Sequence, residues 1–184
     1  IAEKTKDVSL IYGLSRPVHY KIAENGIKTL NDMKKADTKT VSELINVNEG
    51  MVEKWKLQAN VLLKNKPKIT KFSFPKTKHH VCLDIETAED GTLYLIGLQE
   101  KKKFKYFFSS DDEKKIVDDF IEYVLSLGDC VLYHYGTYEK TAFRGLFDKY
   151  GVSENIQKEI FSKMIDLFQI VKKNAVLPIR SYSL

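Results

Sequence analysis

"HHVCLDIETAEDGTLYLIG", residues His79 to Gly97, alternates apolar and polar positions, meets a turn at Asp90-Gly91 and resumes as a second apolar run. That pattern predicts two adjacent strands joined by a short turn. The first carries Asp84 and Glu86, which at i and i+2 share one face of a strand and stand roughly 6 to 7 Å apart. Two carboxylates on one buried face would be costly, both through lost hydration and through mutual repulsion. A divalent cation removes both costs, because Mg²⁺ or Mn²⁺ takes hard oxygen ligands. The plainer alternative is a strand end at which both acids reach solvent. Position favours the metal reading, since ligand sites of α/β sheets lie at the ends of their strands.

On the C-terminal side of this strand, "TLYLIGLQE" and "KFKYFFSS", with turns at Gly91 and at Lys101 to Lys103, complete a three-strand antiparallel meander. "SDDEKKIVDDFIEYVLSLG" reads as a helix capped by Ser109, Ser110 or Asp111, with Ile116, Phe120, Tyr123, Val124 and Leu127 inward. "DCVLYHYG" is a further buried strand. "TYEKTAFRGLFDKYG" is a helix burying Tyr138, Ala142, Phe143, Leu146 and Phe147, and "SENIQKEIFSKMIDLFQIVKK" reads as one more helix. The order βββαβαα predicts an α/β domain with a mixed sheet over residues 79–184. Glu139 then falls in the first turn of a helix that follows a strand, where an acid also complements the helix dipole.

Within a module of residues 1–65, residues 8–65 read as all helical. A short apolar helix precedes the turn Gly13-Leu14-Ser15, and a second helix stops at Asn25-Gly26. Asp37 or Thr38 caps a third, "TKTVSELI". Asn48 caps a fourth, whose Met51, Trp55, Ala59 and Leu62 or Leu63 form an apolar stripe. Residues 66–78, rich in lysine and interrupted by Pro67 and Pro75, read as a basic linker, with Phe72 and Phe74 packing on the second domain.

Charge divides along the same line. Residues 1–78 hold 16 basic and 8 acidic side chains, and residues 79–184 hold 14 and 17. The first part can attract a polyanion, while the second concentrates carboxylates. No apolar run of about 18 residues is present, so a membrane span is not expected and the expectation is a cytoplasmic protein. Cys82 and Cys130 sit in strand-like runs and read as reduced core thiols, and the four histidines lack zinc-ligand spacing. With no initiating Met and the ending "LPIRSYSL", the chain reads as an interior piece of a longer protein.

Two resemblances follow from these motifs. The turn Gly13-Leu14-Ser15, the stretch "ENGIKTL" and the second turn region "LINVNEGMVEKW" resemble a tandem helix-hairpin-helix domain. In that family hairpin N–H groups and nearby basic side chains hold a nucleic-acid phosphate, which implies such a role for Gly13, Ser15, Arg16 and Lys21. Asp84-Ile85-Glu86-Thr87, together with His134, Tyr135, Tyr138 and Glu139, resembles the DEDD or DnaQ-like 3′–5′ exonucleases of ribonuclease H-like fold. Tyr135 stands where that family has Asn, and Glu139 where it has Asp. "YHY", "YE", "DL" at Asp166-Leu167 and "SYSL" at Ser181 to Leu184 resemble the ribonuclease H-like domain of predicted RecB-like nucleases.

The resemblance implies a nuclease using two Mg²⁺ or Mn²⁺ ions. Asp84, Glu86 and Glu139 would be its metal ligands, Asp166 a further catalytic carboxylate, and His134 and Tyr138 nucleic-acid contacts, with DNA favoured over RNA. It also implies a further Asp beyond Leu184. The competing reading is a nucleic-acid-binding module that keeps the fold without the activity.

Overall fold

A computed structural model describes residues 2–70 and 72–182. The chain forms two compact units, one of Ile1–Phe72 with Val171–Leu184 and the other of Ser73–Ile170.

The first unit opens with α1 (Ala2–Thr5), a 3-10 turn (Val8–Leu10), α2 (Arg16–Glu24), α3 (Leu30–Lys35), α4 (Thr38–Ile45) and α5 (Glu49–Lys64). Helix starts follow the capping chemistry of the sequence. The Asp37 side chain accepts from the Thr40 amide at 2.8 Å and Asn48 accepts from that of Met51 at 2.9 Å. α3 was not expected, because six residues are too few for a periodic pattern. Its start is a reciprocal capping box between Thr29 and Asp32. Asn46 ends α4 with φ of 55°, a left-handed conformation more often given to glycine. Val8, Ile22, Leu30, Met33, Val41, Val52, Trp55 and Ala59 form the core. Val52 is buried where Met51 was expected, and Met51 is exposed. After α5 comes a two-residue strand, β1 (Lys68–Ile69).

The second unit carries β2 (His79–Thr87), β3 (Leu93–Glu100), β4 (Lys103–Phe108), α6 (Glu113–Leu127), β5 (Cys130–His134), α7 (Tyr138–Lys149), α8 (Glu154–Lys163), β6 (Met164–Asp166) and α9 (Leu167–Asn174). The strands order as β4-β3-β2-β5-β6. β3 runs antiparallel to β2 and β4, whereas β2, β5 and β6 are parallel. The expected mixed α/β sheet is therefore present, with one change. The expected long last helix is broken by β6, a break that the helical spacing of Ile160, Met164 and Phe168, at i, i+4 and i+8, conceals in the sequence. Met164 instead joins the sheet opposite Leu132.

Helices pack on one face of this sheet. Val81, Leu83 and Ile85 of β2 meet Ile116, Phe120, Val124, Phe143 and Phe147 there, with the Phe120 and Phe143 rings stacked at 4.7 Å. α6 is capped by Asp112, one residue past the expected Ser109 to Asp111, and its Tyr123 and Leu127 are only partly buried. Tyr138, expected inward, is 54% exposed. Cys130 is buried, which pushes its thiol above the ordinary range, whereas Cys82, expected in the core, is exposed. Phe74 is exposed too, yet sets its ring edge-on to that of Tyr133 at 5.6 Å.

β7 (Ala175–Val176), which belongs to the first unit, pairs antiparallel with β1. Val171–Leu184 group with the helical unit. Ser183 and Leu184 of the "SYSL" motif lie outside the described residues. Among the described residues no helix is long and apolar enough to cross a membrane.

Candidate active site

Strand alternation decides which side of the sheet each acid occupies. Val81, Leu83 and Ile85 are buried, so the intervening His80, Cys82, Asp84 and Glu86 stand on the opposite face, and all four are exposed. Asp84 and Glu86 therefore share a face as expected, but it is open to solvent and carries no burial cost. Both lie toward the C-terminal end of β2, the first of the parallel strands, beyond its last parallel partner pair Cys82–Tyr133. The β2–β3 register slips between Glu86 and Thr87, directly after the pair. Thr87 Oγ1 hydrogen-bonds the Tyr138 hydroxyl at 2.6 Å, tying this strand end to the first turn of α7.

The other expected residues gather at the same end of the sheet without meeting Asp84 and Glu86 in one group. His134, last in β5, follows Cys130 and Leu132 onto the helix-covered face and is 3% exposed. Glu139 is buried as well, its Oε2 lying 3.5 Å from His134 Nδ1 with neither atom hydrogen-bonded. A buried pair of this kind is poorly satisfied. Asp166 ends β6 and is used by the backbone. Its Oδ1 accepts from the amides of Gly136 at 2.9 Å and Phe168 at 2.8 Å, holding the β5–α7 loop and starting α9. Among the described residues no three His, Cys, Asp or Glu side chains come close enough to hold a metal ion. The donor set Asp84 and Glu86 fits a hard cation by ligand type, whereas the expected third ligand faces His134 instead.

The open face holds residues that sequence reasoning passed over. Phe104, Tyr106 and Phe108 of β4 are 76%, 71% and 62% exposed. Their partners across the sheet are Gln99, Gly97 and Leu95, which in turn pair with Cys82, Asp84 and Glu86. Three aromatic side chains thus form a file parallel to the two acids, with only the hydrogen of Gly97 between Tyr106 and Asp84. The signal in "KFKYFF" was the aromatic residue at every second position, legible once the facing of that strand is known. On the same face His80 Nδ1 lies 2.9 Å from the Tyr133 hydroxyl.

In the first unit Gly13, Ser15 and Arg16 are exposed, and Gly13 has φ of +78°. Ser15 precedes α2 without capping it through its side chain, so the first amides of α2 are not satisfied by that hydroxyl. Lys21 lies in the last turn of α2 rather than at its start.

Residues 81–184, more than half of the chain, match a family model described as the RNase H superfamily. No curated protein and no solved structure matches the chain.

Proposed function

The chain belongs to the RNase H superfamily, and on that basis we propose that it is a divalent-metal-dependent nuclease, acting as a 3′–5′ exonuclease on single-stranded nucleic acid, DNA in preference to RNA. One observation carries this reading: Asp84 and Glu86 stand together, exposed, toward the C-terminal end of β2. In it, Asp84 and Glu86 supply the oxygen ligands for Mg²⁺ or Mn²⁺. A cation held by these two carboxylates would supply Lewis-acid polarisation of the phosphoryl group and activation of water. Tyr138, tethered to Thr87, orients the strand end, and the file Phe104, Tyr106 and Phe108 offers ring faces to unpaired bases. Glu139 becomes a third ligand only by leaving His134. Asp166 serves by holding the Gly136 loop.

In the first unit, the DEDD-like reading is accompanied by a helix-hairpin-helix reading. Gly13, Ser15 and Arg16, exposed at the start of α2, bind phosphate through backbone amides and the guanidinium, and Lys21 adds charge.

The decisive comparison is cleavage of end-labelled single strands with Mn²⁺ or Mg²⁺ by the wild-type protein extended past Leu184, so that the further Asp is supplied, and by its Asp84→Ala variant. The expected result is shortening from the 3′ end by the wild type and a loss of at least about a hundredfold in the variant. The separation of Glu139 from the Asp84–Glu86 pair supports a second reading, a nucleic-acid-binding module without activity. Metal-independent binding with no cleavage by the wild type would establish that reading and sink the first.

A further inference from the structure

The first unit contains a cavity of about 610 Å³ that shares only Gly13 with the residues assigned to nucleic-acid binding above. That volume lies within the range of about 300 to 1,000 Å³ typical of small-molecule sites. One wall is a face of α5, with Met51, Lys54, Trp55 and Gln58 at helical spacing. The other is formed by β1, β7 and the segment reaching Tyr182.

Its chemistry is one-sided. Lys54, Lys68, Lys172 and Lys173 line it, and no Asp or Glu is among its described lining residues. All four lysines are exposed, and Lys54, Lys68 and Lys173 form no ion pair among the described residues. Gln58, 6% exposed, has an amide nitrogen with no hydrogen-bond partner, a donor in want of an acceptor oxygen. Aromatic surface completes the lining. Trp55 is 5% exposed, and the Tyr12 and Tyr182 rings meet edge-on at 4.8 Å. Tyr182 is fixed in place, its hydroxyl accepting from the Leu177 amide at 2.9 Å. Aromatic walls suit a planar ring, and ammonium groups suit an anion.

We propose that this cavity binds a nucleoside phosphate, with Lys54, Lys68 and Lys173 on the phosphates and the ring against Trp55 and the tyrosine pair. The same chemistry belongs to a free nucleotide and to the phosphorylated terminal nucleotide of a strand, and the experiment separates the two sources.

Trp55 is the only tryptophan of the chain, so its fluorescence reports on the cavity wall. The measurement is titration of the Asp84→Ala protein in EDTA with adenosine 5′-diphosphate, pyrophosphate, adenosine and a tetranucleotide with or without a 5′-phosphate. Calorimetry is run in parallel. Adenosine diphosphate is expected to give a saturable change, with pyrophosphate and adenosine each weaker. Lys54→Gln with Lys173→Gln, both at exposed positions, weakens it by about tenfold or more. Lys28→Gln, which is exposed but does not line the cavity, leaves binding unchanged. A phosphorylated tetranucleotide that binds more tightly than the diphosphate identifies a strand end as the ligand, and the reverse order identifies a free nucleotide.

Absence of heat and fluorescence change with all of these compounds overturns the proposal. So does a Lys54→Gln, Lys173→Gln protein that binds as the wild type does, or adenosine binding as tightly as its diphosphate. Because no metal and no cleavage enter the measurement, its outcome is independent of whether the protein proves to be a nuclease.

Discussion

Solvent on the open face of the sheet removes the cost that Asp84 and Glu86 would meet in a core, and beyond the Ile85 amide that Asp84 Oδ1 accepts from at 3.0 Å their hard oxygens face water. Glu113 shows the opposite solution for a carboxylate. It is 7% exposed, accepts from the Leu93 amide at 2.6 Å and from Lys149 Nζ at 2.5 Å, and is also bonded by the Tyr150 hydroxyl. Burial disfavours its charge, but these bonds outweigh burial and hold its carboxyl below the usual range. A depressed folded-state pKa stabilises the protein above the unfolded carboxyl value of about 4.3, and that contribution disappears as pH falls through the lower folded value. Glu113→Gln is therefore expected to lose about 2 kcal/mol at pH 7 by chemical denaturation. The difference from wild type should shrink toward acid pH, and an equal loss at pH 3 and pH 7 would contradict the assignment.

In the proposed nuclease, β4 and the middle of β3 form the surface beside Asp84 and Glu86. Gly97 lies opposite both Asp84 and Tyr106, and a Cβ there would come no closer than 3.9 Å to the Asp84 carbonyl oxygen. A larger side chain is thus accommodated by the backbone but occupies the open face. Gly97→Val is expected to keep or raise thermal stability, since valine suits a strand, while lowering cleavage. Loss of stability would show that the face is not free. The aromatic file makes a separate prediction. If Phe104, Tyr106 and Phe108 stack on bases, the wild type binds a normal single strand more tightly than an abasic one of equal charge. Replacing the three by alanine should then erase that preference, each stacked base contributing about 1 to 3 kcal/mol. Equal affinity of the wild type for both strands would count against stacking.

Over the whole chain, charge is segregated by sequence, with 16 basic against 8 acidic side chains in residues 1–78. The phosphate binding proposed for the first unit would release counterions and weaken steeply with salt. Arg16→Gln with Lys21→Gln is expected to reduce the slope of log affinity against log salt by about 1.4, which is about 0.7 for each single-strand phosphate no longer neutralised. An unchanged slope would show that these two residues do not touch phosphate. Most of the architecture behind these predictions is legible in the sequence. The alternation in "HVCLDIE" marks β2, the caps Asp37 and Asn48 mark the starts of α4 and α5, and the spacing of acids puts Asp84 and Glu86 on a shared face. β6 escapes such a reading because Ile160, Met164 and Phe168 have helical spacing, and periodicity cannot distinguish a short parallel strand from a helix turn.

Local pattern was enough for the mixed α/β sheet, most helix boundaries and the pairing of two acids on one strand face, because alternation and capping act over a few residues. Which face is covered came from tertiary packing alone. Packing of α6 and α7 on Val81, Leu83 and Ile85 put Asp84 and Glu86 into solvent beside Phe104, Tyr106 and Phe108. The same packing turned Glu139 toward His134, away from the acids it was expected to join. Period two fixes that neighbouring residues point oppositely, but the side that meets the helices depends on contacts between distant segments, which no local pattern contains.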